Sequence, residues 1–274
     1  MDLSRTVLSL CVLCCALAAG LASGQVTDKP YEPKPGQPGK DVVWIPSPPG
    51  MVDMMLDMAG VTPSDFVFDL GSGDGRNVIA AAKRGARARG VEYNPDLVEL
   101  SKRAAAAAGA ADKASFVQGD MFAADISKAT VLILFLIPQN LERLAPKFYE
   151  LAPGTRIVSN TYEIGTGWEP DETRRLPACL TWCGGHLYIV PAKVDGVWRA
   201  ADGELTIDQY FQTVSGTYEM NGIRLPVENG RLHGSDIRFT VNRVEYSGRV
   251  SGNTIEGTAH GRTPQPWRVE RSAQ

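Results

Sequence analysis

The chain has 274 residues, 28 of them basic and 31 acidic, for a formal net charge of −3 at pH 7. That length accommodates one domain of about 150 residues with a smaller module beside it. The mixed charge leaves no basic stripe able to neutralise a phosphate backbone, so no nucleic-acid partner is expected.

At the N-terminus, Arg5 precedes an apolar run from Val7 to Ala22, and Ala22-Ser23-Gly24 are small enough for a signal-peptidase cut before Gln25. Residues 1–24 therefore suggest a cleaved signal and a periplasmic or extracellular protein, with a membrane-anchored form as the alternative. Residues 25–41 carry Pro30, Pro33, Pro35 and Pro38 and read as a flexible linker.

Residues 42–195 alternate between helical and extended patterns. Met51 to Met58 predicts a preliminary helix whose Met54, Met55 and Met58 fill core space. Strands are expected at 66–70, 88–92, 115–118, 131–136 and 155–160, with helices at 75–84, 96–108 and 139–151. Such alternation specifies an α/β fold with a parallel sheet covered on both faces and a ligand at the carboxyl ends of its strands. Segments 177–182 and 186–193 predict an antiparallel edge hairpin.

The first of these strands runs into Asp69-Leu70-Gly71-Ser72-Gly73-Asp74-Gly75-Arg76. Gly71 and Gly73 allow positive φ and a close approach of backbone to ligand. Asp69 and Asp74 would repel a pyrophosphate, which favours a ligand presenting positive charge or hydroxyls. Two further acids end strands: Glu92, at the spacing that meets ribose hydroxyls, and Asp120, placed to accept from an adenine amino group.

From 41 to about 193 the chain resembles a class I, seven-β-strand S-adenosylmethionine-dependent methyltransferase with a Rossmann-like sheet. The resemblance implies S-adenosylmethionine as cofactor. Asp69, Gly71, Ser72, Gly73 and Gly75 would then surround its methionine part, Glu92 its ribose and Asp120 its adenine. Trp44, Asp74, Tyr93, Asn94, Met121 and Phe135 complete the expected cofactor set. Trp44-Ile45-Pro46-Ser47-Pro48 and Glu92-Tyr93-Asn94-Pro95 are similar to the small mitochondrial and bacterial protein-lysine methyltransferases. This implies in-line methyl transfer, with a protein lysine amine as leading acceptor. A small-molecule N- or O-acceptor, or a non-catalytic exported binding protein, are the alternatives.

After the fourth strand, Leu136-Ile137-Pro138-Gln139-Asn140 is not the Asn/Asp-Pro-Pro-aromatic loop of enzymes that methylate exocyclic base nitrogens. Pro138, Gln139 and Asn140 are candidates for positioning the acceptor, or simply a polar helix start. Cys179 and Cys183 suit a small disulfide or two free buried thiols. With His186 they spell C-x-x-x-C-x-x-H, but no fourth ligand is at hand, so no metal is expected. Residues 196–274 form a separate run of short β segments with turns at Glu228-Asn229-Gly230 and Ser251-Gly252-Asn253. Gly230-Arg231-Leu232-His233-Gly234-Ser235-Asp236-Ile237 recurs as Gly248-Arg249-Val250-Ser251-Gly252-Asn253-Thr254-Ile255. That repeat predicts an antiparallel meander curled into a small open barrel or curved sheet, without a catalytic constellation.

Overall fold

The computed structural model describes residues 31–272; the expected signal over 1–24 and the first part of the expected linker lie outside the described residues. In chain order come α1 (Pro49–Met58), β1 (Phe66–Leu70), α2 (Arg76–Lys83), β2 (Arg87–Glu92), α3 (Pro95–Ala107) and β3 (Ala114–Gln118). Next are β4 (Val131–Leu134), α4 (Pro138–Tyr149), β5 (Arg156–Asn160), β6 (Glu172–Arg175) and β7 (Gly184–Ile189). The seven strands make one sheet in the order β3-β2-β1-β4-β5-β7-β6, in which β7 alone runs opposite to the rest and so pairs antiparallel with both β5 and β6.

The period of two along each strand divides its side chains between two cores. Val67, Val131 and Ile133 meet Met55, Val78 and Val98 of α1 to α3, whereas Phe68, Leu70, Leu132 and Leu134 meet Leu141, Leu144 and Phe148 of α4. Helix starts obey local chemistry: proline stands in the first positions of α1, α3 and α4, and the Asn94 side chain accepts from the Asp96 amide to cap α3. The methionines of α1 fill core space as expected, since a Cβ at Gly185 of β7 would lie 2.8 Å from the Met58 sulfur.

The C-terminal strands are β8 (Gly196–Ala200), β9 (Gly203–Tyr210), β10 (Thr213–Met220), β11 (Ile223–His233), β12 (Asp236–Val241), β13 (Val244–Ser251), β14 (Thr254–His260) and β15 (Gln265–Arg271). Neighbours pair antiparallel, and β8 pairs with both β9 and β15, so the barrel is closed rather than open. Closure removes the free edges that a curved sheet would expose. The repeat corresponds to the β11–β12 and β13–β14 hairpins, with Leu232 opposite Ile237 and Val250 opposite Ile255, all four buried. Aromatic rings pack inside the barrel: Phe239 and Tyr246 stack at 5.1 Å and Trp267 meets both edge-on at 5.4 Å.

Three further expectations are corrected. Glu228-Asn229-Gly230 is not a turn but an irregularity inside β11, where the register shifts and Asn229 takes φ 55°. The edge hairpin is β6–β7 rather than 177–182 with 186–193. Pro177 and the positive φ values of Ala178 (55°) and Trp182 (59°) make 176–183 a loop, which the Cys179–Cys183 disulfide closes. Residues 36–45, where the expected flexible linker runs into the domain, fold back on themselves: Gly36 N donates to Trp44 O and Trp44 N to Gln37 O, at 2.8 and 2.9 Å.

Barrel and sheet meet through aromatic packing. Phe211, between β9 and β10, stacks on the buried Trp168 at 5.1 Å and receives Tyr149 edge-on at 5.2 Å. Gln212 Nε2 and Tyr210 OH add hydrogen bonds of 2.6 Å to the carbonyls of Glu169 and Thr166. Phe211→Ala should lower unfolding free energy by about 2 kcal/mol, because a half-buried ring and its stacking are lost together. Urea denaturation with unchanged midpoint would show that the contact carries no stability.

Candidate active site

A cavity of about 320 Å³ opens at the carboxyl ends of β1 to β5. On one side of β1 its lining comes from Glu92, Tyr93 and Asn94 at the end of β2 and from Gly119, Asp120 and Met121 after β3. On the other side it comes from Phe135, Leu136 and Ile137 after β4, Tyr162 after β5 and Trp182 before β7. Gly71 forms part of the floor, and residues 37–45 fold across the opening.

The glycine turn is fixed from beneath by a carboxylate. Glu92 Oε2 accepts from the Gly73 amide and Oε1 from the Asn94 amide, both at 2.9 Å. Gly71 N also donates to Val91 O at 2.8 Å, which ties the end of β1 to that of β2. The turn needs φ of 73° at Gly71 and 54° at Gly73, values that L side chains rarely adopt. A Cβ at Gly73 would stand 2.5 Å from Trp44 Nε1, so the indole lies directly over the bare backbone.

Asp120 holds two donors: Lys40 Nζ at 2.7 Å on one oxygen and the Phe122 amide at 2.8 Å on the other. The lysine, then the amide, keeps its carboxyl below the ordinary aspartate range. Lys40 also sits 4.6 Å from the Tyr93 ring centre, so the crossing segment is fastened over the Tyr93–Asp120 side of the cleft.

Of the residues expected at the cofactor, Trp44, Gly71, Glu92, Tyr93, Asn94, Asp120, Met121 and Phe135 line the cavity. Asp69, Ser72, Gly73, Asp74 and Gly75 do not, and each has a packing reason. Asp69 is 2% exposed and accepts from Asn77 Nδ2 at 3.0 Å. Ser72 points toward Gly90, whose added Cβ would meet its hydroxyl at 2.5 Å. Gly73 lies beneath the Trp44 indole, which takes its place in the lining. Asp74 pairs with Arg76, which donates at 2.6 Å to Ser47 O ahead of α1. At Gly75 a Cβ would strike Phe116 and Ser101 at 2.7 and 2.9 Å, so its bareness serves helix–strand packing. Pro138, Gln139 and Asn140 form the first turn of α4, just behind Ile137 and outside the lining.

Sequence reasoning missed Tyr162, Trp182 and the crossing residues Gln37 to Val43. Only the tertiary fold brings 162 and 182 to the end of β4. Among the described residues no group of three or more acidic, histidine or cysteine side chains is arranged to hold a metal, and no helix is long and apolar enough to cross a membrane.

Burial, followed by the charges of Glu92 and Asp74, drives Asp69 well above the usual aspartate pKa, against the Asn77 hydrogen bond. The folded state thus holds the proton more tightly than the unfolded chain. The resulting stability is complete below the unfolded pKa near 4 and is lost as pH rises toward the folded pKa. Asp69→Asn should flatten this decline, as read from urea midpoints across the acid-to-neutral range. A variant that keeps the parental slope would show that Asp69 is not its source.

The model of the ANTKMT methyltransferase domain matches residues 69–172. The protein-lysine N-methyltransferase of Saccharolobus islandicus is 43% identical over 138 residues, covering 49% of this chain and 85% of that protein. The Mus musculus adenine nucleotide translocase lysine N-methyltransferase is 36% identical over 121 residues, 43% of this chain and 52% of that protein. The chain therefore spans about half the length of that mouse relative. A solved Salinibacter ruber structure with S-adenosyl-L-homocysteine, described as an RNA methyltransferase, is 43% identical with TM-score 0.52, covering 55% of this chain and 96% of the other. Strand order, glycine turn, strand-end acids and these likenesses agree: the chain belongs to the class I S-adenosylmethionine-dependent methyltransferases, in their protein-lysine group.

Proposed function

We propose that the protein transfers a methyl group from S-adenosylmethionine to a lysine amine of a protein acceptor. The observation that carries this reading is Glu92, a carboxylate that organises the glycine turn and still faces the cavity. Its oxygens keep lone pairs for two ribose hydroxyls. Tyr93, Asp120 and Met121 would hold the adenine, and Gly71, Trp44 and Phe135 the methionine end.

When bound, S-adenosylmethionine supplies a methyl group activated by its positive sulfur. The protein's part is to align a neutral amine with it and keep water away. Leu136 and Ile137 supply an apolar surface that keeps water from the reacting centre, where the arriving ammonium loses its proton before attack. Gln139 and Asn140, which follow the lining residue Ile137 at the start of α4, are proposed to position the acceptor through their side-chain oxygens, which accept an amine N–H and leave its lone pair free. Residence in an oxidising compartment is an accompanying proposal, supported by the Cys179–Cys183 bond.

The Salinibacter likeness raises RNA as a second acceptor. Against it, the one cation lining the cavity among the described residues is Lys40, which Asp120 already engages. Incubation of a host extract with the protein and methyl-labelled S-adenosylmethionine separates the two. Label should survive ribonuclease and emerge as Nε-methyl-lysine after acid hydrolysis; label in RNA would overturn the lysine reading.

Glu92→Gln keeps the length but turns one accepting oxygen into an NH2 that cannot accept from an amide, and it loses the charge that strengthens the bonds that remain. Affinity for S-adenosylhomocysteine should fall by about 1.5–3 kcal/mol in calorimetry, with the circular dichroism spectrum unchanged. Parental affinity in this variant would remove Glu92 from the cofactor site.

A further inference from the structure

Three aromatic rings stand at the end of the cavity away from Glu92 and Asp120. Trp182 is central to them, its ring centre 5.7 Å from that of Phe135 and 6.2 Å from that of Tyr162. The acids that line the cavity are Glu92 and Asp120, on the far side of β1, and Asp41, beside Lys40. Glu163 is next to Tyr162 in sequence but lies outside the lining, 4.0 Å from His186. Among the described residues, this end of the cleft therefore offers π faces and no carboxylate, the composition that receives an alkylammonium arm.

The loop that carries Trp182 has little core of its own. Leu180 is 94% exposed, and Ala178 and Trp182 both hold positive φ. Backbone in that region persists where surrounding structure enforces it. Here the enforcement is the Cys179–Cys183 bond, with Cα atoms 5.7 Å apart, and the Leu176 N to Cys183 O hydrogen bond of 2.9 Å at the loop's base.

We propose that Trp182, held by this disulfide against Phe135 and Tyr162, is the wall that binds the acceptor's alkylammonium arm, so that acceptor affinity requires the disulfide to be closed. The inference rests on the lysine-acceptor reading and adds a specificity-determining residue and a redox dependence to it. Opening takes two electrons and two protons from a dithiol and leaves two thiols and an oxidised dithiol. The loop then loses the tie that fixes the ring, while the ribose and adenine side of the cleft, built on β1 to β3, is untouched.

The test uses the full chain loaded with S-adenosylhomocysteine and titrated calorimetrically with Nα-acetyl-Nε,Nε-dimethyl-lysine methylamide. Trp182→Ala should weaken this probe by about tenfold, and Trp182→Phe should restore most of the loss. The Cys179→Ser/Cys183→Ser double variant and dithiothreitol-treated parent should lose as much as Trp182→Ala. S-adenosylhomocysteine affinity should stay parental throughout, which excludes general unfolding. A loaded parent that does not bind the probe, or a Trp182→Ala or double-serine protein that binds it normally, overturns the inference. A parent unable to bind S-adenosylhomocysteine overturns instead the functional reading beneath it.

Discussion

The carboxylate of Glu92 is the interaction on which the cleft depends. It ends β2, yet its two oxygens reach the amide of Gly73 in the turn after β1 and the amide of Asn94 at the start of α3. One side chain thus fixes three elements relative to one another. Charge-assisted bonds to backbone amides suit that task, being about twice as strong as neutral ones. A turn with positive φ at Gly71 and Gly73 has little intrinsic stability, so an external acceptor is what makes it a defined floor.

Parts of this arrangement are legible in the sequence because they are local. Apolar strands ending in Asp, Glu or Gly-rich turns place β1 to β5 within a residue or two, and strand-end position alone puts Glu92 and Asp120 in the cleft. The glycine motif is legible only as a whole. Gly71 floors the cavity, whereas Gly75 is bare so that Phe116 and Ser101 can close on it, and nothing in G-x-G-x-G separates those reasons. Asp69 reads as a ligand-facing acid, but its face of β1 is set by the pleat and turns it into the core toward Asn77.

The illegible parts are non-local. Barrel closure depends on β8 meeting β15, segments separated by the whole module, and no local pattern announces such a pairing. The prolines of 33–38 suggest a free linker, yet they run into a fold-back, with Pro38 inside it, in which Gln37 and Trp44 are joined by a backbone bond and Lys40 reaches Asp120. A proline-rich segment is also one that loses little entropy when it is laid across a surface.

The barrel's contacts with the methyltransferase sheet are made from its outside, at the β9–β10 turn. The segment between β5 and β6 carries Tyr162 in the cavity wall, Ile164, whose amide donates to Tyr188 OH at 3.0 Å, and Trp168, buried against Phe211. Tyr210 OH binds the Thr166 carbonyl on the same segment, and Gln212 binds that of Glu169. The barrel thereby anchors one end of a loop whose other end is an aromatic wall of the cleft. Such a loop, long and without secondary structure of its own, holds a ring in place only if something rigid holds the loop. A closed barrel, having no free edge and an aromatic core, is a rigid support of that kind, and its contact with Trp168 is where that rigidity reaches the loop.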